Sequence, residues 1–139
     1  GFGGRIIPSD AKSDEEAKYI NSPDSPIYNK GYSVYGINVT KDDIKKTKTA
    51  VLVEGNVDLI TCWQNGIKNV VCPLGTALTT NQAKQIHRFA ENVVIAFDRD
   101  NAGTAATARS VEILKDEGLN VRVALYEGGK DPDEAIKSK

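Results

Sequence analysis

The chain has 139 residues, enough for one compact domain, or one domain and an ordered extension, with a core that needs no disulfide or structural zinc. Hydrophobic residues at 40% and charged residues at 27% exclude disorder and collagen, and no apolar stretch nears the ~20 residues that cross a bilayer. With 18 Lys and Arg against 19 Asp and Glu the net charge is −1, so a nucleic-acid role, which usually shows as a basic excess, must come from local patterning or neighbouring domains.

The first third has no sustained period. "GFGGRIIP" (1–8) reads as a strand, and residues 9–37, rich in Pro, Ser, Gly and Tyr, read as loop with short strand pieces. "KDDIKKTK" (41–48) reads as a short polar helix or linker with a solvated face. The N-terminus lacks the basic-then-apolar order of a signal peptide, begins with Gly, and the sequence has no Met. A piece of a longer cytoplasmic protein is the expectation.

Beyond residue 48 the pattern alternates. "AVLVEG" (50–55), "NVVCPLG" (69–75), "NVVIAFD" (92–98) and "NVRVALYEG" (120–128) read as strands, the last with the alternation of a sheet edge. Between them lie helical segments at 57–66, stopped by Gly66, at 78–92, capped by Thr79 or Thr80, and at 101–118, closed by Gly118. A last helix starts at 131–139 with Pro132 in its first turn. Buried strands alternating with helices predict an α/β fold: a mostly parallel four-stranded sheet with helices on both faces, after an irregular, strand-containing N-terminal segment. The expected division is 1–48 and 49–139.

The carboxylates carry the chemistry. Glu54 ends the first of these strands, and Asp98 and Asp100 end the third with only Arg99 between them. Asp58 lies one helical turn after Glu54, and Asp131 and Asp133 open the last helix. In open parallel sheets ligands bind at the carboxyl ends of strands, so up to six carboxylates are expected on one rim. Like charges at close range raise one another's pKa unless a cation neutralises them, and hard oxygen donors suit Mg²⁺ or Mn²⁺ rather than zinc. Capping alone is an alternative for Asp131 and Asp133. The single His87 and the widely spaced Cys62 and Cys72 make no zinc site, and the two cysteines read as buried reduced thiols.

"VEGNVD" (53–58), "PLGTAL" (73–78), "FDRDNAGTAA" (97–106) and "GGKDPDEAI" (128–136) resemble the successive motifs of the Toprim domain, the acidic, Rossmann-like fold shared by bacterial primases, type IA and type II topoisomerases and some nucleases. "GFGGRII" followed by "AKYINSPDSPIYNKGYSVYGI" (17–37) resembles the segment that precedes Toprim in DnaG-type primases and is foreign to the other Toprim enzymes. The resemblance covers essentially the whole chain and implies the central part of a primase RNA polymerase domain.

It implies Glu54, Asp98 and Asp100 as catalytic acids that coordinate Mg²⁺ or Mn²⁺, supported at the metal by Asp58, Asp131 and Asp133. Arg5, Lys18, Asn21 and Lys30 are implied to line a basic groove for incoming nucleotide and template–primer. The implied activity is DNA-templated synthesis of short RNA primers from NTPs on single-stranded DNA. The replicative helicase is bound through domains outside this segment, no membrane is involved, and the fragment is monomeric and weakly active at most. Two positions depart from the family pattern: Asn56 stands where an aromatic residue is common, and Arg99 where Gly is usual. The alternatives are a topoisomerase or nuclease fragment, or a catalytically silent DNA-binding module.

Overall fold

A computed structural model of the chain describes residues 1–5, 19–74 and 77–138, in two compact units, Gly1–Lys30 and Gly31–Lys139. In the first, β1 (Gly3–Arg5) and β2 (Tyr19–Asn21) form an antiparallel ribbon with Gly4 opposite Ile20. The Phe2 N–H donates to Ser22 Oγ at 2.8 Å, and the Ser22 N–H returns to the Phe2 carbonyl at 2.8 Å, closing the ribbon's end. Asp24 Oδ1 accepts the Lys30 N–H at 2.8 Å, which ties the two ends of the loop after β2 together.

The second unit is a five-stranded sheet in the order β3-β5-β4-β6-β7. Its strands are β3 (Val34–Tyr35), β4 (Thr49–Val53), β5 (Val70–Pro73), β6 (Asn92–Ala96) and β7 (Asn120–Val123). The four strands read from the sequence are present and mutually parallel. The four-strand expectation is corrected by β3, which pairs antiparallel with β5 at the sheet's edge. It comes from the segment read as irregular, because two residues are too few to show a period. The compact units part between Lys30 and Gly31, so residues 31–48 build β3 and α1 (Ile37–Thr47) into the second unit.

Side chains alternate across the sheet, as the strand period of two requires. Ala50, Leu52, Val71, Val93, Ile95 and Phe97 face one side, where Ile44 of α1, Ala83 and Ile86 of α3 (Thr80–His87) and Leu114 of α4 (Asn101–Asp116) pack on them. Val53, Val70, Cys72 and Ala96 face the other side, under Leu59 and Cys62 of α2 (Asn56–Gln64) and Ile136 of α5 (Pro132–Lys137). Helices therefore cover both faces. α3 starts as its sequence directs: Thr79 Oγ1 accepts the Gln82 N–H at 3.1 Å while the Gln82 side chain accepts the Thr79 N–H at 3.0 Å, a capping box. Cys62 and Cys72 are buried and unpaired, and burial pushes the Cys62 thiol up to about 11. Among the described residues no helix is long and apolar enough to cross a membrane.

One consequence of the strand order governs the site. β4 and β6 are neighbours with Val53 opposite Ala96, and the chain leaves β4 into α2 on one face but leaves β6 into α4 on the other. The carboxyl ends of these two strands thus flank the point where the winding reverses, the position at which such sheets open a crevice.

Candidate active site

Glu54 follows Val53 at once, and Asp98 lies two residues beyond Ala96, so register alone brings the ends of β4 and β6 together. Gly55 is the N-cap of α2, and Asp58, three residues on, reaches back so that its Oδ2 accepts the Gly55 N–H at 3.1 Å. At the end of β6, Asp100 caps α4 by accepting the Gly103 N–H at 2.7 Å. Gly103 has no tolerable substitute on this backbone, because a Cβ there would overlap the carbonyl oxygen of Asp98. Glycine lets the first turn of α4 rest directly on the loop that carries the acids.

The two strand-end acids are electrically unsatisfied. Glu54 Oε2 and Asp98 Oδ1 are buried without a hydrogen-bond partner among the described residues. Burial raises the Glu54 pKa, the Asp98 N–H opposes the rise, and the charges of Asp100 and Asp58 add to it. Asp98 is pushed up to about 6, first by burial and then by Glu54, Asp131 and Asp100, against a smaller opposing pull from Lys130. Asp58 also reaches about 6, chiefly through burial with Asp98 and Asp131 contributing. Folding would not leave buried acceptors unpaired beside like charges unless something else met them, since each such group costs about 1–3 kcal/mol.

The acids around α5 differ. Asp131 caps the helix by accepting the Glu134 N–H at 2.7 Å, next to Pro132 at its first position. Asp133 takes the Thr61 hydroxyl on Oδ1 and the Lys137 ammonium on Oδ2 at 2.7 Å, and Lys137 with Thr61 lowers its pKa. Its backbone N–H donates to Asp58 Oδ1 at 3.3 Å, tying α5 to α2. Among the described residues no three Asp, Glu, His or Cys side chains come close enough to form a metal-ion cluster, although Glu54, Asp58, Asp98, Asp100 and Asp131 lie within one another's electrostatic reach. The donor set still fits a hard divalent cation, which commonly takes one or two carboxylates and fills its other positions with water and phosphate oxygens. The buried, unpartnered oxygens of Glu54 and Asp98 are such a pair.

A Toprim-like family profile matches residues 51–136, the span that holds all six acids. The chain belongs to the Toprim-like family. A second profile, the N-terminal domain of the DNA primase catalytic core, matches residues 1–41. A DNA primase of Halalkalibacterium halodurans is 46% identical over 136 residues, which are 98% of this chain and 22% of that protein. The crystal structure of the Aquifex aeolicus primase, comprising zinc-binding and RNA polymerase domains, superposes with a TM-score of 0.89 at 44% identity, over 99% of this chain and 33% of that one. A DnaG primase catalytic domain solved with bound single-stranded DNA gives a TM-score of 0.84 at 31% identity, over 100% of this chain and 43% of that one. The chain thus spans about a fifth of the length of the curated relative it matches.

Within the Toprim frame the structure also settles where Arg99 goes. Its guanidinium donates to the Tyr126 carbonyl at 3.1 Å and its N–H to the Lys130 carbonyl at 2.8 Å. The cation between two acids is thus spent on the loop after β7, which Tyr126 anchors by donating its hydroxyl to the Phe97 carbonyl at 2.7 Å. Asn21 and Lys30 lie in the first unit, Asn21 in β2 opposite Gly3. Lys18 and the side chain of Arg5 fall outside the described residues. One site feature had gone unread in the sequence: a cavity of about 290 Å³ lined by Glu54, Pro73, Leu78, Phe97, Ala106 and Arg109. Its sequence signal is Ala102, Ala106 and Arg109, spaced to share one face of α4.

Proposed function

We propose that this chain is the catalytic centre of a DNA primase. The observation that carries the reading is the pair of buried, unpartnered carboxylate oxygens of Glu54 and Asp98 at the ends of adjacent parallel strands. Support comes from curated relatives named DNA primase and from the related primase domain solved with single-stranded DNA. The reaction is nucleotidyl transfer: the 3′-hydroxyl of a growing RNA attacks the α-phosphate of a ribonucleoside triphosphate chosen by a DNA template, and pyrophosphate leaves.

Glu54, Asp98 and Asp100 hold Mg²⁺ or Mn²⁺, with Asp58, Asp131 and Asp133 fixing the surrounding loops and field. The bound ion supplies charge neutralisation at the phosphoryl oxygens and a lowered hydroxyl pKa. The chain's own part is to keep two carboxylates adjacent and desolvated, so that their attraction for cation and developing charge is not diluted by water. No side chain is needed as a covalent nucleophile. Asn21 and Lys30, with Arg5 and Lys18, bind the phosphates of template, primer and nucleotide. This segment is monomeric, and the parent protein works in the bacterial cytoplasm and meets the replicative helicase through other domains.

Template-dependent ribonucleotide incorporation by the full-length parent protein with Mg²⁺ or Mn²⁺ tests the reading. Activity on single-stranded DNA that disappears with Asp98→Ala is the expected result. Relaxation of supercoiled plasmid without NTPs would favour a topoisomerase instead, and absence of Mn²⁺ binding by titration would favour a silent module.

A further inference from the structure

The cavity beside Glu54 has an unusual charge plan. Among the described residues Glu54 and Arg109 are the only charged groups on its wall, beside Pro73, Ala77, Leu78, Phe97, Ala102 and Ala106. Among the described residues Arg109 has no hydrogen-bond or ion-pair partner, whereas Arg99, Lys130 and Lys137 are engaged with a carbonyl or carboxylates. Ala102 and Ala106 precede Arg109 on the same face of α4, and these small side chains line the same cavity as Arg109. We propose that Arg109 holds the phosphates of the incoming ribonucleoside triphosphate in this cavity, a specific role that rests on the primase reading above.

Three physical arguments identify the occupant. A guanidinium is a planar fork of donors matched to phosphate oxygens, so an unengaged one facing a cavity is a ready phosphate site. Its companion on the wall is Glu54, which would repel a free anion. The fitting ligand is therefore one that brings phosphate to the arginine and cation-bridged phosphate to the carboxylate, as a metal-bound triphosphate does. The volume of about 290 Å³ is that of a small-molecule pocket rather than a strand-length groove. The phosphates are the same in all four nucleotides, so Arg109 contributes affinity without base preference and leaves choice of nucleotide to the template.

The test uses the full-length parent protein carrying Arg109→Ala or Arg109→Lys. Arg109 is exposed at the start of the third turn of α4, so both variants retain the fold. Arg109→Ala is expected to raise the KM for all four NTPs by the same factor, roughly ten- to a hundredfold for a lost bond to a charged group, with kcat nearly unchanged. Arg109→Lys should recover part of that loss, because a point charge remains without the fork. Mn²⁺ affinity and the salt dependence of template binding should match wild type. An unchanged KM, a shift confined to one base, or weakened template binding at constant KM would each overturn the assignment. A wild-type parent that incorporates no ribonucleotides would remove the primase reading and this role together, whereas an active parent with an indifferent Arg109→Ala variant removes only the latter.

Discussion

At the ends of β4 and β6, Glu54 and Asp98 each keep a buried carboxylate oxygen with no partner, whereas around α5 the acids are fully spoken for. Asp58 accepts two backbone N–H groups, Asp131 caps its helix, and Asp133 is shared by Thr61 and Lys137. The two regions use the same residue types and sit within one another's field, since Asp98 and Asp58 both feel Asp131. What separates them is satisfaction. A carboxylate whose bonds are filled organises the chain, and one buried with its bonds unfilled is an unmet demand for positive charge.

The largest effect that would sharpen this contrast is on activity. Glu54→Ala or Asp98→Ala in the full-length protein should lower templated incorporation by at least ~10³-fold, since the metal's contribution is several kcal/mol, while leaving thermal stability equal or improved. Thr61→Val should do the reverse, costing about 1–2 kcal/mol in denaturant unfolding through loss of the bond to charged Asp133, with activity retained. A Thr61→Val variant that lost activity without losing stability would erase the distinction between the regions. Between these, Gly103→Ala should lose both, because the added methyl meets the Asp98 backbone; overpacking of this kind costs about 1–3 kcal/mol, and the acid loop moves with it.

The smallest effect is a pH slope. Asp98 and Asp58 titrate near 6 in the fold against an ordinary 3.8, so between those values the folded chain holds more protons than the unfolded one. Their contribution to stability is therefore greatest below about pH 4, declines as pH rises through about 6, and is flat above. Asp133 has the opposite sign, stabilising above its unfolded pKa and losing that stabilisation as pH falls. Thermal melts of metal-free protein should show a flatter decline for Asp98→Asn, and Mg²⁺ should raise the wild-type melting temperature most on the alkaline side. An Asp98→Asn profile that overlays wild type would show that the strand-end acids are not strained.

Much of this was readable in advance, and the exceptions have physical causes. Continuous apolar runs such as "NVVIA" announce strands covered on both faces, and Thr79, Gly66, Gly118 and Pro132 punctuate the helices as their side-chain chemistry dictates. The second half of the predicted last strand was not built: β7 stops at Val123, and Leu125, at 98% exposed, continues the alternation without a neighbour to pair with. α1 looked merely polar because its contribution to the core rests on Thr40 and Ile44 amid charged residues. The acid positions were legible as residue types at strand ends. Which of them had their bonds already filled was not, because Thr61 and Asp133 are 72 positions apart and meet only when α2 packs on α5. The same holds for Arg99, whose partner is a backbone carbonyl that no side-chain pattern reveals.

The fit of Gly103 against the Asp98 carbonyl reaches beyond sterics. The amides of Gly103 and Thr104 both donate to Asp100, so the loop and the start of α4 share their hydrogen bonds as well as their contact. Fraying of that first turn and dispersal of the acids are then a single opening event, whose frequency amide hydrogen exchange at these two positions would measure. A cation bridging the strand ends would slow both exchange rates in step, turning a pair of unremarkable backbone protons into a gauge of how often the acid loop is assembled.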